Sequence, residues 1–200
     1  MLELRKQILI RADDVGYSRA VNYGIADAVW NGIIRSVGIM PNMPEALHGI
    51  KLLDGSGVCC GQHTNLCLGK PCADPEKIPS LIDENGNFKS SKSYRDAWKK
   101  GEEFTVLDEV VLEIEAQYHR YIELMQEKPH YFEAHAVMSQ NLFKGLSIVA
   151  EKYELPLLTI NPNGQVLFRN STMRMSMESM AENYDPFASL KKAVLQDDQI

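Results

Sequence analysis

Short, β-rich apolar runs alternate with amphipathic helical patterns between Gln7 and Asn65, and that alternation restricts the chain to a small set of folds. Residues 7–12 (QILIRA) read as a buried strand, followed by the turn-like Asp13-Asp14-Val15-Gly16-Tyr17. Ser18 is placed to cap a helix whose Val21, Ile25, Ala28 and Val29 fall on one face, with Gly32 as its stop. Residues 33–40 then read as a second strand, 44–53 as a second helix and 57–65 as a third strand ending near a histidine. Strands separated by single helices favour a parallel sheet or a barrel of βα units, an α/β architecture.

The alternation breaks over residues 69–106. This stretch holds Pro71, Pro75, Pro79, an Asn85-Gly86 turn and a Lys/Ser/Glu-rich run. It reads as a long surface excursion, with a small hairpin at the Asn-Gly. Such excursions serve as lids or binding loops, or simply stay mobile. From Leu107 the pattern returns, with Val111, Ile114, Tyr118, Tyr121 and Met125 on one helical face until Pro129. A strand over 130–135, a helix over 141–153 and a strand over 155–160 follow, then a turn at Asn163-Gly164. The Met-rich residues 171–180 carry no readable period, and 188–195 read as a last helix. Two hundred residues suffice for one real core and are too few for two large ones, so residues 1–200 are expected to form one domain.

Composition narrows the partners. A net charge of -6 argues against nucleic acid or an anionic membrane surface, both of which attract basic proteins, and leaves neutral ligands such as sugars open. No apolar run approaches the roughly 20 residues that a membrane span needs. The N-terminus lacks the layout of a signal peptide. Cys59, Cys60, Cys67 and Cys72 lack CxxC spacing and read as reduced thiols, so a cytoplasmic protein is expected.

The chemistry-bearing residues sit at strand ends. Loops from neighbouring strands converge at the carboxyl end of a parallel sheet, and ligands bind there. Three predicted strands end in Asp13-Asp14, His63 and His135. One carboxylate and two imidazoles on one rim suit a divalent metal with open positions, and Asp13 could then be a base beside it. Each residue also has a plainer reading: an Asp-Asp pair can merely cap the next helix, and a strand-end histidine can be a hydrogen-bonded structural residue. His48, His119 and His130 read as surface or packing residues. Glu133 has weight because an acidic side chain can orient a metal-bound imidazole.

These residues stand in familiar surroundings. Ala12-Asp13-Asp14-Val15-Gly16-Tyr17-Ser18, followed by Val21-Asn22-Tyr23-Gly24-Ile25, resembles the N-terminal signature of the YdjC-like carbohydrate deacetylase family, an ADDFG-like turn followed by N-x-GI. Gly32-Ile33-Ile34-Arg35-Ser36 matches that family's next element. Gly61-Gln62-His63-Thr64-Asn65-Leu66, with Gly69-Lys70-Pro71 after it, resembles its G-x-H-x-N/T-L segment. Lys128-Pro129 through Glu133-Ala134-His135 lines up with its K-P-x-H-x-D-S-H segment. Any one block is a weak signal; four in order over about residues 7–160 are a strong one.

The resemblance implies a distorted (β/α) barrel that removes acetyl groups from amino sugars such as chitin oligosaccharides. It implies a divalent ion, Mg2+ or Zn2+, held by Asp14, His63 and His135, with Asp13 as base. Three departures stand out. Glu133 replaces the usual Asp, and Ala136-Val137-Met138-Ser139 stands where the family is rich in histidine. Family members also run beyond residue 200 and carry a late His-Pro segment, whereas this sequence stops at Asp197-Asp198-Gln199-Ile200. The barrel is therefore expected to be incomplete at its C-terminus. Its open edge near QILIRA would be exposed or covered by another subunit in a homo-oligomer. A metal- and sugar-binding protein with little turnover is the rival reading. A phosphoesterase fits less well, because such sites generally use more carboxylates and often two metals.

Overall fold

The computed structural model describes residues 9–159, 164–175 and 183–195. They fall into two compact units, Leu9–Leu158 and the residues from Thr159 onward. In the first, strands β1 (Arg11–Val15), β2 (Ser36–Ile39), β3 (Cys59–Thr64) and β4 (Phe132–Ala134) form a parallel sheet in the order β1-β2-β3-β4. Helices α1 (Arg19–Trp30), α2 (Ala46–Leu53), α4 (Leu107–Met125) and α5 (Gln140–Lys152) alternate with them, as the sequence pattern predicts. The predicted strand after α5 is reduced to one parallel bridge between Leu157 and Phe132, and Ile160 lies outside the described residues.

Alternation along each strand gives the sheet two unlike faces. Val15, Val37, Ile39 and Cys60 are buried with Ile25, Ala26 and Val29 of α1 and Leu53 of α2. Phe132 is buried with Val110, Ile114 and Tyr118 of α4 and Leu142, Leu146 and Val149 of α5. Full burial of such side chains contributes about 1.5–3 kcal/mol each. Burial also pushes the Cys60 thiol up to about 12, as befits an inert core residue.

The opposite face carries Arg11, Asp13, Ser36, Gly38, Gly61, His63, Tyr131, Glu133 and His135, and its glycines make it passable. A Cβ on Gly61 would stand 2.3 Å from the Tyr131 ring, and one on Gly38 would stand 2.6 Å from Glu133 Oε1. Tyr131 is fixed there by Ser36, whose Oγ lies 2.8 Å from its hydroxyl.

The excursion over 69–106 is built into the core. Ile78, Leu81, Phe88 and Tyr94 are buried beside α4 and α5, and the Asn85-Gly86 turn closes one antiparallel bridge between Ile82 and Phe88. Its polar run forms a helix, α3 (Ser91–Lys100), ended by Gly101 at φ 71°. Only Tyr94 and Ala97 of that helix are buried, too few to register as a period in sequence. Glu103 ties the end of the excursion to the start of α5, accepting Ser139 Oγ–H at 2.8 Å and Asn141 N–H at 3.2 Å.

The second unit holds an antiparallel hairpin, β5 (Gln165–Phe168) and β6 (Ser171–Arg174), and a helix α6 (Pro186–Leu195). The hairpin was not expected from the sequence, because its turn places Arg169 at φ 54°, a region that side chains other than Gly, Asn and Asp seldom occupy. Residues 176–180 of the unreadable Met-rich stretch, and Asn163 of the expected turn, lie outside the described residues. Among the described residues no helix is long and apolar enough to cross a membrane.

Candidate metal centre

The sequence reading ends the first strand at Ala12, before the aspartates; β1 instead runs from Arg11 to Val15 and contains both. Gln7 and Ile8 of the expected strand lie outside the described residues. Regular alternation would send Asp13 and Asp14 to opposite faces of the sheet. The pairing with β2 is irregular between Ala12 and Val15, and Asp14 sits at φ 72°. A bulge of this kind re-aims a side chain, and here it brings Asp14 to the same side as the histidines. The turn beyond is fastened from α1. Asn22 Oδ1 accepts the Gly16 N–H at 2.8 Å, while Asn22 Nδ2 donates to the Glu45 carbonyl at 2.9 Å. Gly16 has φ 105°, and a Cβ there would lie 3.0 Å from Ala46 Cα.

β3 and β4 deliver the two imidazoles. His63 and His135 are almost wholly buried, with their rings edge to face at 78°. The loop after β3 is clamped by α4: Asn65 N–H donates to Gln117 Oε1 at 3.1 Å, and Gln117 Nε2 donates to the Asn65 carbonyl at 2.6 Å. His135 N–H donates to the Thr64 carbonyl at 2.9 Å, which aligns the two histidine strands. Beyond it Ala136 takes φ 52°, another left-handed residue beside the site.

Asp14, His63 and His135 converge. Asp14 Oδ1 lies 3.3 Å from His63 Nε2 and 3.0 Å from His135 Nδ1, and the two nitrogens are 3.0 Å apart. Donors bound at about 2.0–2.2 Å to one ion stand about 3 Å from each other, so this triangle fits a single divalent cation. Asp13, His63 and Glu133 make a second set whose ligand atoms lie within 4.8 Å of one another. His48, His119 and His130 join neither group; His48 Nδ1 instead lies 3.1 Å from Asn22 Nδ2.

Glu133 stands 3.1 Å from His63 Nδ1. The sequence suggested that Glu133 orients an imidazole; its partner is His63 across the sheet, and not its near neighbour His135. That contact leaves Nε2 of His63 facing the triangle. The extra methylene of Glu133 relative to the Asp of the resembling family is accommodated beside Gly38. Arg11, which the sequence shows only as one charge inside an apparently apolar strand, donates through Nη2 to Asp13 Oδ1 at 2.6 Å and also to Glu133 Oε1. The signal was available: Arg11 and Asp13 stand two apart in a strand and so share a face.

The charges are strongly coupled. Burial works against ionised Asp14, but hydrogen bonds from His135 and His63 outweigh it and hold its carboxyl below the usual range. Burial likewise opposes charge on His63, yet Asp14 and Glu133 outweigh it and raise its pKa to about 10. Glu133 is held low by His63 and Arg11 against its own burial. Asp13 moves the other way: desolvation at the rim pushes its carboxyl up, with Glu133 and Asp14 adding to the push and His63 and Arg11 opposing it. Two adjacent carboxylates thus differ in character, one held as an anion and one readier to take a proton.

The chain is similar to known proteins. The profile of the YdjC-like protein family matches residues 7–199. The chain is 34% identical over 151 residues to a carbohydrate deacetylase of Geobacillus stearothermophilus, covering 74% of this chain and 58% of that one. It is 33% identical over 134 residues to a chitooligosaccharide deacetylase of Escherichia fergusonii, covering 66% of this chain and 50% of the relative. A crystal structure from Enterococcus faecalis, assigned provisionally as a cellobiose-phosphate cleavage protein, superposes with a TM-score of 0.66 at 29% identity, over 74% of this chain and 57% of that chain. The chain therefore spans between half and three fifths of the length of these relatives. With a family match over nearly its whole length, the chain belongs to the YdjC-like protein family.

Proposed function

We propose that this chain carries the metal centre of a carbohydrate deacetylase, with a divalent cation held by Asp14, His63 and His135 and with Asp13 as the base. The observation that carries the proposal is the triangle of donor atoms with edges of 3.0–3.3 Å, assembled from three strands. Two imidazoles and one carboxylate suit zinc better than magnesium, which prefers an all-oxygen set. When bound, such an ion polarises an acetyl carbonyl and lowers the pKa of water toward neutrality. Asp13 is open to water, as a base must be: its side chain is 47% exposed, and its carboxyl is shifted toward proton uptake. It accepts the proton of the attacking water and returns it to the leaving amine. Glu133 keeps His63 in the orientation that directs Nε2 inward. The substrate class, N-acetylated amino sugars and their oligomers, accords with the names of the relatives.

One observation favours the rival reading of metal and sugar binding without turnover. Val137, where the family is rich in histidine, is an aliphatic side chain buried in the core. Acetate release separates the two readings. The zinc-loaded chain incubated with N-acetylglucosamine oligomers is expected to liberate acetate, and a chelator is expected to stop it. Binding of the oligomers with no acetate above the protein-free rate would favour the rival.

A further inference from the structure

Arg11 is placed unusually for a partly buried cation. One of its nitrogens, Nη2, serves two carboxylates at once, Asp13 Oδ1 at 2.6 Å and Glu133 Oε1. The guanidinium also lies over the Tyr131 ring, 5.3 Å from its centroid, and that ring is pinned by Ser36. Arg11 is thus fixed from below by an aromatic face and from the side by Glu133, whose side chain is only 6% exposed. Neutralising buried Glu133 accounts for one of its two bonds. It does not account for the second, to a carboxylate that is half exposed and has water available.

The second bond matters because of what Asp13 would otherwise do. Its carboxylate belongs to a group that includes His63, with all ligand atoms within 4.8 Å. His63 is also a corner of the Asp14–His63–His135 triangle. Asp13 adjoins Asp14 and shares His63 with the triangle, so once freed from Arg11 its carboxylate can swing toward the cation as a fourth ligand, and as a ligand it could no longer serve as a base. We propose that Arg11 is a positioning residue that holds Asp13 out of the coordination shell of the cation. This rests on the metal centre proposed above. Arg11 itself bonds to Asp13 and Glu133 and to none of the three triangle residues.

Loss of Arg11 is expected to act with the opposite sign to structural damage. A substitution that merely disturbs the site should weaken metal binding. Freeing Asp13 should tighten it. In competition with a chromophoric chelator, Arg11→Met is expected to bind zinc about tenfold more tightly than the unmodified chain, the low end of what outer partners of a metal site control. The double variant Arg11→Met/Asp13→Asn is expected to lose that gain and to match Asp13→Asn alone, since the gain depends on the freed carboxylate. If Arg11→Met does not fold, Arg11→Gln, which removes the charge but keeps a polar amide, is measured in its place with the same expectation. Affinity unchanged or weaker in the folded variant would overturn the inference. So would a gain that persists in the double variant, because simple loss of a positive charge would then explain it. A failure of the unmodified chain to bind zinc would overturn the metal centre itself, and the inference with it.

Discussion

His63→Ala and His135→Ala are each expected to bind zinc about a hundredfold or more weakly than the unmodified chain, with the fold retained. The magnitude follows from the small number of donors. Four-ligand structural zinc sites contribute about 10–16 kcal/mol, so one ligand is worth roughly 3 kcal/mol. Neither histidine holds the sheet together: the strands carrying them are joined by backbone hydrogen bonds, and the core lies on the opposite face. Elemental analysis of purified protein, with circular dichroism as the check on folding, reads the effect. Full metal content in both variants would show that the triangle is not the site.

The two aspartates are expected to separate cleanly. Asp13→Asn keeps a side chain of the same shape near Arg11 and removes nothing from the triangle, so it should leave zinc bound. It should lower acetate release about 10²- to 10⁴-fold, the usual contribution of a positioned base. Asp14→Asn should do the reverse at the first stage, because it replaces the only anionic corner of the triangle with a neutral amide. Zinc content should fall, and any activity with it. Comparable metal loss in both variants would mean that the pair binds jointly and that the base lies elsewhere.

The sequence made the strand ends legible because βα alternation is a strong signal, and in such folds the carboxyl ends of parallel strands converge. His63, His135 and the Asp13-Asp14 pair could be nominated on that ground. Three features could not be read, each for a physical reason. The bulge that turns Asp14 toward the histidines depends on a positive φ at one residue, and nothing in the local pattern distinguishes it from regular extended chain. Arg11 lay in an apolar-looking run, where a single charge reads as an interruption and not as a functional group. The core role of residues 69–106 rests on isolated large side chains such as Ile78, Leu81, Phe88 and Tyr94, spaced too irregularly to give a period. Gly38 and Gly61 are a middle case. An isolated glycine in a strand signals close approach, and here the approaching groups are Glu133 and Tyr131.

The proposed centre stands on three strands that place three donors around a single divalent cation. The most direct test is a crystal structure of the zinc-loaded chain with anomalous data collected across the zinc edge. The expected result is one anomalous peak bonded to Asp14 Oδ1, His63 Nε2 and His135 Nδ1, with Asp13 outside the shell and still paired with Arg11. A peak held instead by Asp13, His63 and Glu133, or no peak at the triangle in zinc-loaded crystals, would contradict the account.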